Sequence, residues 1–348
     1  MTCRKSISWQ LLFLGITLLS ARETCAAKST AIVVDPVYTR SSTLIAIEAG
    51  RRLNIYCVGK GSPTVLFDAG LGDGTKAWAL VQPAVGARTR ACSYDRAGLG
   101  FSDPGSRPGT SANIVDDLHR LFDAAGIKPP YVLVGHSFGG MNVKLYAQKY
   151  RADVAGMVLV DPSHEDQARL LWGLDPAYEA KFAPYMETLR TCLRAAPADF
   201  IDGSDLYKSC VGAGDARYSE AINATELNRA RLPGRMKSWI SEQENIWFAS
   251  ADQVRVSRRP LGNMPIIVLS KEPSPRFGTE TQELRDAKNR GMAALHEQIA
   301  GLSTRGVRRV VEDAGHYIQL DQPETVVDAV LEVLRDVSNK NSAAEKTH

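Results

Sequence analysis

One serine of the chain stands in a setting that could make it a nucleophile. Ser137 lies at the centre of Gly135–Gly139, a Gly-His-Ser-Phe-Gly run between the apolar stretch 131–134 and a stretch with helical spacing. A G-x-S-x-G pattern between a strand and a helix is typical of a sharp turn that presents the serine hydroxyl. The start of the following helix directs partial positive charge toward the reacting centre. The spacing therefore predicts a nucleophile at Ser137.

A serine nucleophile needs a base within hydrogen-bond reach, and the chain has six histidines. His316 follows the predicted strand Val307–Glu312 and precedes the last helical stretch. It is therefore expected on a loop at the carboxyl edge of a sheet, where open α/β sheets place their sites. His119 and His296 fall inside predicted helices, and His136 adjoins the serine but faces away from the turn. His316 is the predicted base.

The elements that position these residues are short apolar runs that alternate with helical stretches. The predicted strands are Thr43–Glu48, Leu53–Val58, Thr64–Asp68, Arg90–Tyr94, Tyr131–Val134, Gly156–Val160, Ile266–Leu269 and Val307–Glu312. The predicted helices are Thr75–Val85, Ala112–Ala125, Phe138–Tyr150, Arg285–Ala300 and Glu324–Val337. This alternation predicts an α/β fold, with a mostly parallel sheet covered by helices on both faces.

The alternation stops in residues 162–260, where tryptophans, prolines and charges occur without strand-like runs. We expect an inserted helical cap there, between two parts of one core, residues 28–161 and 261–338. Residues 339–348 are predicted to be a polar tail that frays.

The first 27 residues are predicted to be a secretory signal, with Arg4 and Lys5, an apolar stretch from Leu11 to Leu19 and cleavage after Ala27. A retained membrane anchor is the alternative, although the stretch is shorter than the ~20 residues of a spanning helix. The expected location is periplasmic or secreted. A net charge of +3 on 348 residues gives no indication of a nucleic-acid partner.

Export would give the four cysteines beyond the signal an oxidising compartment. Cys192 and Cys210 lie in one polar, irregular segment and are expected to pair. Cys57 and Cys92 lie in strand-like runs, where they either form a second disulfide or are two small buried side chains.

Several motifs in the same order resemble the alpha/beta hydrolase superfamily, in its bacterial branch with a helical cap. Besides the serine turn, these motifs are Phe67–Gly72, Tyr94–Ser102, Gly315-His316 and Asp321–Glu324. The resemblance covers nearly the whole chain beyond the signal. It implies an eight-stranded, mostly parallel sheet and an inserted cap. A serine in place of an aspartate at the turn argues against the epoxide hydrolases and haloalkane dehalogenases of this superfamily.

The resemblance also implies the remaining site residues. The backbone N–H groups of Leu71 and Phe138 would form the oxyanion hole, although Ala69-Gly70 stands where the family usually has His-Gly. The family's commonest acid follows the strand Ile266–Leu269, where only Glu272 is available. Asp161, at the end of Gly156–Val160, is the favoured acid, Glu272 is the alternative and Asp166 an outside candidate.

The predicted function is hydrolysis of a small carboxylic ester or related acyl compound through an acyl-enzyme. The alternatives are an amidase or aminopeptidase, a carbon–carbon hydrolase, and a non-catalytic receptor for a small ligand. No metal or organic cofactor is expected, because the cluster of Asp161, His164, Glu165 and Asp166 matches no zinc pattern. The only predicted partner is the small acyl substrate. Trp172, Trp239, Trp247 and Phe248 either line an acyl pocket or pack the cap.

Overall fold

The computed structural model describes residues 32–195, 197–275 and 280–345. The predicted signal peptide, residues 1–27, lies outside these ranges, as do the last three residues of the predicted tail. Within the described ranges, no helix has both the length and the apolar character that crossing a membrane requires.

One sheet of eight strands forms the centre of the fold. Its strands are β1 Thr43–Glu48, β2 Arg51–Val58, β3 Thr64–Asp68, β4 Ala91–Tyr94, β5 Tyr131–His136, β6 Val154–Val160, β7 Ile266–Lys271 and β8 Gly306–Val311. The order across the sheet is β1-β2-β4-β3-β5-β6-β7-β8. β2 is antiparallel to both of its neighbours, and all other neighbouring pairs are parallel. The predicted fold class is confirmed.

Each face of the sheet has its own apolar core. Successive side chains of a strand point to opposite faces, so Leu133 of β5 packs into one core and its neighbours Val132 and Val134 into the other. β5 is buried along its whole length, as expected for a central parallel strand. The helices outside the cap are α1 Gln82–Gly86, α2 Ser111–Ala124, α3 Phe138–Lys149, α11 Gln282–Ala300, α12 Ile318–Asp321 and α13 Pro323–Glu345.

Two predicted helices differ from the structure. The single helix expected over Thr75–Val85 is instead a 3-10 turn, Thr75–Trp78, followed by α1. Pro83 causes the break, because a residue without an N–H is tolerated only in the first turn of a helix. The last helix continues to Glu345 and includes most of the predicted tail, since residues 338–345 contain neither glycine nor proline to stop it.

Between β6 and β7 the described residues form helices. They are α4 Gln167–Leu174, α5 Pro176–Glu179, α6 Phe182–Arg194, α7 Asp205–Cys210, α8 Glu220–Ala230, α9 Pro233–Asn245 and α10 Ala249–Ser257. We call these seven helices, with the described residues that link them, the cap. Met186 and Leu189 of α6 pack against Met236 and Ile240 of α9, so this segment has a small apolar core of its own.

Both candidate cysteine pairs form disulfides. Cys192 of α6 is bonded to Cys210 of α7, as predicted. Cys57 is bonded to Cys92, which lies directly opposite it across β2 and β4. The alternative of two buried thiols does not fit, because the Cys57 residue is exposed.

Candidate active site

Ser137 lies on a strained turn between β5 and α3. Its φ of 51° and ψ of −118° are a conformation that an L-residue holds only when its surroundings enforce it. Close packing does so here. A Cβ on Gly139 would lie 2.2 Å from the Asp68 carbonyl oxygen, and one on Gly135 would lie 2.6 Å from the Gly139 carbonyl oxygen. Both glycines of the motif are therefore sterically required.

Asp161 follows β6 directly and also has a positive φ, 37°. Its N–H donates to the Leu269 carbonyl oxygen over 2.7 Å, and its Oδ1 accepts from the Lys271 N–H over 3.2 Å. These two bonds to β7 fix the carboxylate at the carboxyl edge of the sheet. The other oxygen, Oδ2, lies 2.6 Å from Nδ1 of His316.

His316 lies on the loop between β8 and α12, and its side chain is 45% exposed. With Nδ1 donating to Asp161, a neutral imidazole keeps the lone pair of Nε2 for a proton. This is the tautomer that a general base needs. Among the described residues no hydrogen bond joins His316 to Ser137, and catalytic hydrogen bonds of this kind often close only on substrate binding.

The charge of Asp161 results from opposing effects. Burial alone would raise its pKa. The hydrogen bond from His316 and the electrostatic effect of His316 and His296 outweigh burial and lower the pKa below its ordinary value. The carboxylate is therefore ionised at neutral pH, and it can stabilise an imidazolium on His316.

Among the described residues, the other acidic side chains near the site make no hydrogen bond to His316. Glu272 is exposed at the rim of the cavity that contains Ser137, and within the described residues its carboxylate makes no hydrogen bond to His316. Asp166 accepts from Arg255 Nε over 2.9 Å, and Glu165 accepts from the buried Lys144 ammonium over 2.7 Å. Of the candidate acids, the structure brings Asp161 to the histidine.

His136 is buried beneath the histidine loop. Its Nε2 donates to the His316 carbonyl oxygen over 2.8 Å, and the two ring centroids are 4.6 Å apart. Burial lowers the pKa of His136 to about 3, so the ring is neutral at physiological pH. His136 therefore supports the backbone of the base.

The two predicted oxyanion donors lie on elements that meet at the serine. Leu71 follows Gly70, and a Cβ on Gly70 would lie 3.4 Å from the Ser137 Cβ. Phe138 is the first residue of α3, where N–H groups have no partner inside the helix. Leu71 and Ser137 line the same cavity.

That cavity, of about 1040 Å³, opens between the sheet edge, the cap and α11. Its walls differ in polarity. Apolar side chains of the cap, among them Leu171, Ile246 and Trp247, form one wall, and charged residues of α11, Arg285 and Lys288, form part of the other. Trp172 and Phe248 do not line the cavity and instead pack on Phe182 and on each other. Trp239 packs beside the cap core.

The cavity wall contains a row of hydrogen-bonded polar side chains that the sequence did not reveal. Arg308 Nε donates to Ser270 Oγ over 2.9 Å, and Ser270 lies 2.7 Å from His296 Nδ1. His296 Nε2 in turn donates to the Pro162 carbonyl oxygen over 2.9 Å. These hydrogen bonds fix the backbone of Pro162, which is next to Asp161. The members of the row come from β7, β8 and α11, and only the apolar context of Ser270 in a strand could have drawn attention to them.

Comparison with known proteins agrees with this architecture. Residues 65–329 match the Alpha/beta hydrolase family. The uncharacterized protein YqjL of Bacillus subtilis is 26% identical over 276 residues, which cover 79% of this chain and 85% of that protein.

Two solved structures are similar in fold. Epoxide hydrolase CorEH is 18% identical with a TM-score of 0.58, and the match covers 85% of this chain and 99% of that one. A thermophilic esterase from Thermogutta terrifontis is 21% identical with a TM-score of 0.55, with coverage of 86% and 99%. These two likenesses concern the fold, and the family match rests on the sequence. The chain belongs to the alpha/beta hydrolase family.

Proposed function

We propose that the chain is a serine hydrolase that cleaves a carboxylic ester through an acyl-enzyme on Ser137. One observation carries the proposal: the His316–Asp161 pair, joined over 2.6 Å, lines the same cavity as a serine held on a strained turn. A nucleophile, an oriented base and an ionised acid at one sheet edge are the parts that acyl transfer requires.

In this proposal Ser137 Oγ attacks the ester carbonyl carbon while His316 Nε2 takes the hydroxyl proton. The tetrahedral oxyanion accepts hydrogen bonds from the N–H groups of Leu71 and Phe138. The carbon–oxygen bond to the alcohol then breaks, and His316 returns the proton to the leaving oxygen. Water loses a proton to His316 and attacks the acyl-Ser137 ester, which releases the carboxylic acid and restores the hydroxyl.

The cavity supports a substrate larger than a short-chain ester. Its volume of about 1040 Å³ is at the upper end of small-molecule sites. The apolar wall around Ile246 and Trp247 suits an acyl or alcohol group without charge, and the α11 wall suits a polar one. We therefore propose an ester with one apolar and one polar part.

A fluorophosphonate probe tests this function, because it bonds only to an activated serine. We expect labelling of the wild type and of Glu272→Gln, none in Ser137→Ala, and strongly slowed labelling in His316→Ala and Asp161→Asn. Unchanged labelling in Ser137→Ala would overturn the proposal. Labelling with no turnover of aryl esters, anilides or vinylogous diketones would favour a receptor instead, and preferred turnover of anilides or diketones an amidase or a carbon–carbon hydrolase.

We also propose export from the cytoplasm. The two disulfides support it, since such bonds persist in oxidising compartments. Mass spectrometry of the protein produced by a bacterial secretory host should give a mature chain that starts at Lys28. An intact Met1 on a protein retained in the membrane fraction would favour the anchor.

A further inference from the structure

The guanidinium of Arg96 is buried next to the candidate active site. Arg96 lies on the turn after β4 and is 2% exposed. A guanidinium has five N–H donors, and all five find acceptors here. They donate from Nη1 to Asp68 Oδ1 and the Ala69 oxygen, from Nη2 to the Gly70 oxygen and Glu242 Oε2, and from Nε to Glu242 Oε1, over 2.7, 2.7, 2.7, 2.9 and 2.7 Å.

One of these bonds holds the peptide between Gly70 and Leu71, whose carbonyl oxygen also accepts from the Asp73 N–H over 3.1 Å. In a trans peptide the C=O and the following N–H point in opposite directions. Because Arg96 holds the Gly70 C=O on its own side, the Leu71 N–H must point to the other. That N–H is the predicted oxyanion donor beside Ser137. A flipped peptide would turn a carbonyl oxygen, rather than a donor, toward the developing negative charge.

The next two peptides, on either side of Gly72, are held from the cap. Glu242 Oε2 accepts from the Gly72 N–H over 2.9 Å, and Arg235 Nη2 donates to the Gly72 carbonyl oxygen over 2.7 Å. Glu242 and Arg235 both belong to α9. Leu71 is therefore fixed on its amino side by a core residue and on its carboxyl side by a cap helix.

Charge and packing make this arrangement rigid. Burial alone would lower the pKa of Arg96, but the Glu242 and Asp68 carboxylates raise it above its ordinary value, so the guanidinium keeps its charge. The guanidinium carbon also lies 5.7 Å from the centre of the Phe138 ring. Arg96 thus lies over the ring of Phe138, which carries one predicted oxyanion donor, and bonds to the peptide whose N–H is the other. Removing one partner would leave a buried charge unpaired.

We propose that Arg96 and Glu242 are positioning residues that orient the Leu71 N–H into the oxyanion hole, and that the hole is complete only when α9 of the cap is docked. This inference rests on the proposed acyl transfer at Ser137. The role is directional, so it needs the planar fork of arginine and not merely a positive charge.

The test compares Arg96→Lys and Glu242→Gln with two control variants, Arg51→Lys and Asp117→Asn. Arg51 and Asp117 form another largely buried pair, joined by two bonds (2.6 and 2.7 Å) between the β1–β2 hairpin and α2, and neither residue lines the cavity that contains Ser137. We expect kcat on an aryl ester to fall about 100-fold in Arg96→Lys and at least about 10-fold in Glu242→Gln, with KM within about 3-fold, as for the loss of an oxyanion donor. The controls should keep kcat within about 3-fold.

A second readout separates orientation from general loss of structure. An aryl trifluoromethyl ketone forms a tetrahedral adduct with an activated serine, so its affinity should fall in parallel with kcat/KM, whereas the affinity of the product acid should not. If Arg96→Lys does not fold, the test is decided by Glu242→Gln, which conserves the size of the side chain.

Two outcomes overturn the inference: a folded Arg96→Lys or Glu242→Gln with wild-type kcat, or equal losses in the controls. Fluorophosphonate labelling of Ser137 in the wild type shows that the proposed function stands in such a case. Without that labelling, both proposals fall.

Discussion

The two sides of the cavity differ in what they contribute. The core side supplies Ser137, Asp161 and His316, each placed at the carboxyl edge of the sheet by a strand end or the loop after a strand. The cap side supplies apolar surface at Ile246 and Trp247, and hydrogen bonds to a core loop from Glu242.

The core side therefore holds the proposed reacting groups, and the cap side holds groups that contact the substrate or support a core loop. Changes on the core side should remove a reacting group, and changes on the cap side should alter substrate fit, stability or alignment. The predictions below can break or sharpen this separation, and they are ordered by the size of the expected effect.

The largest effect is expected from Asp161→Asn on the core side. An asparagine would hold His316 in the wrong tautomer, so kcat should fall by about 10³–10⁴-fold while the fold is kept. Glu272→Gln, the matched control, should stay within about 3-fold of wild type. Steady-state kinetics with an aryl ester measures both. Equal losses in the two variants would show that the acid has been misassigned.

Removal of the disulfides compares the stability of the two sides. Replacing Cys57 and Cys92, 35 residues apart, should cost about 4 kcal/mol of unfolding free energy, and replacing Cys192 and Cys210, 18 residues apart, about 3 kcal/mol. We expect the second pair to affect the cap first, seen as faster protease cleavage there before the sheet unfolds in urea. A single shared transition in both variants would show that cap and core unfold as one unit.

A pH effect is expected at the junction of core and cap. Burial next to Lys144 lowers the pKa of His164 to about 3, against about 6.5 in the unfolded chain. Below pH 6.5 the unfolded state takes up a proton that the folded state does not, so this group lowers stability by about 1.4 kcal/mol per pH unit as the pH falls toward 3.

His164→Asn should remove this slope because asparagine does not titrate. The fold should be kept, since asparagine can still accept the hydrogen bond that the Asp166 N–H donates to His164 Nδ1 over 2.9 Å. Urea unfolding at pH 7 and pH 5 measures it. The slope that His136 adds in the same direction should remain. An unchanged total slope would mean that His164 is protonated in the fold.

The smallest effect is expected in the apolar wall. Trp247→Ala should raise KM about 10-fold for esters with a long apolar group and change kcat little, because it removes binding surface and no reacting group. Trp172→Ala is the control, since Trp172 packs on Phe182 and Phe248 and does not line the cavity. A large fall in kcat for Trp247→Ala alone would place part of the chemistry on the cap side.

The sequence identified residues whose neighbours in the chain define them. Ser137 has its glycines within two positions, and the central strands were predicted because apolar runs mark buried strands, whereas β8, predicted from its place in the alternation, is mostly not buried. The choice between Asp161 and Glu272 stayed open, because both follow strands and only the hydrogen bond to His316 distinguishes them.

Contacts between residues that are far apart in the sequence could not be predicted. Arg96 and Glu242 are 146 residues apart, and although Arg96 lies in the motif Tyr94–Ser102, nothing in that motif indicates Glu242 as its partner. The predicted helix over Thr75–Val85 ignored the effect of Pro83.

The most direct test of the central claim is to trap the acyl-enzyme. The protein is mixed with excess p-nitrophenyl ester, quenched in acid within the first turnover and digested for mass spectrometry. The account predicts a burst of p-nitrophenol and the acyl mass on the peptide that contains Ser137, with neither in Ser137→Ala. Turnover in Ser137→Ala, or an acyl group on another residue, would contradict it.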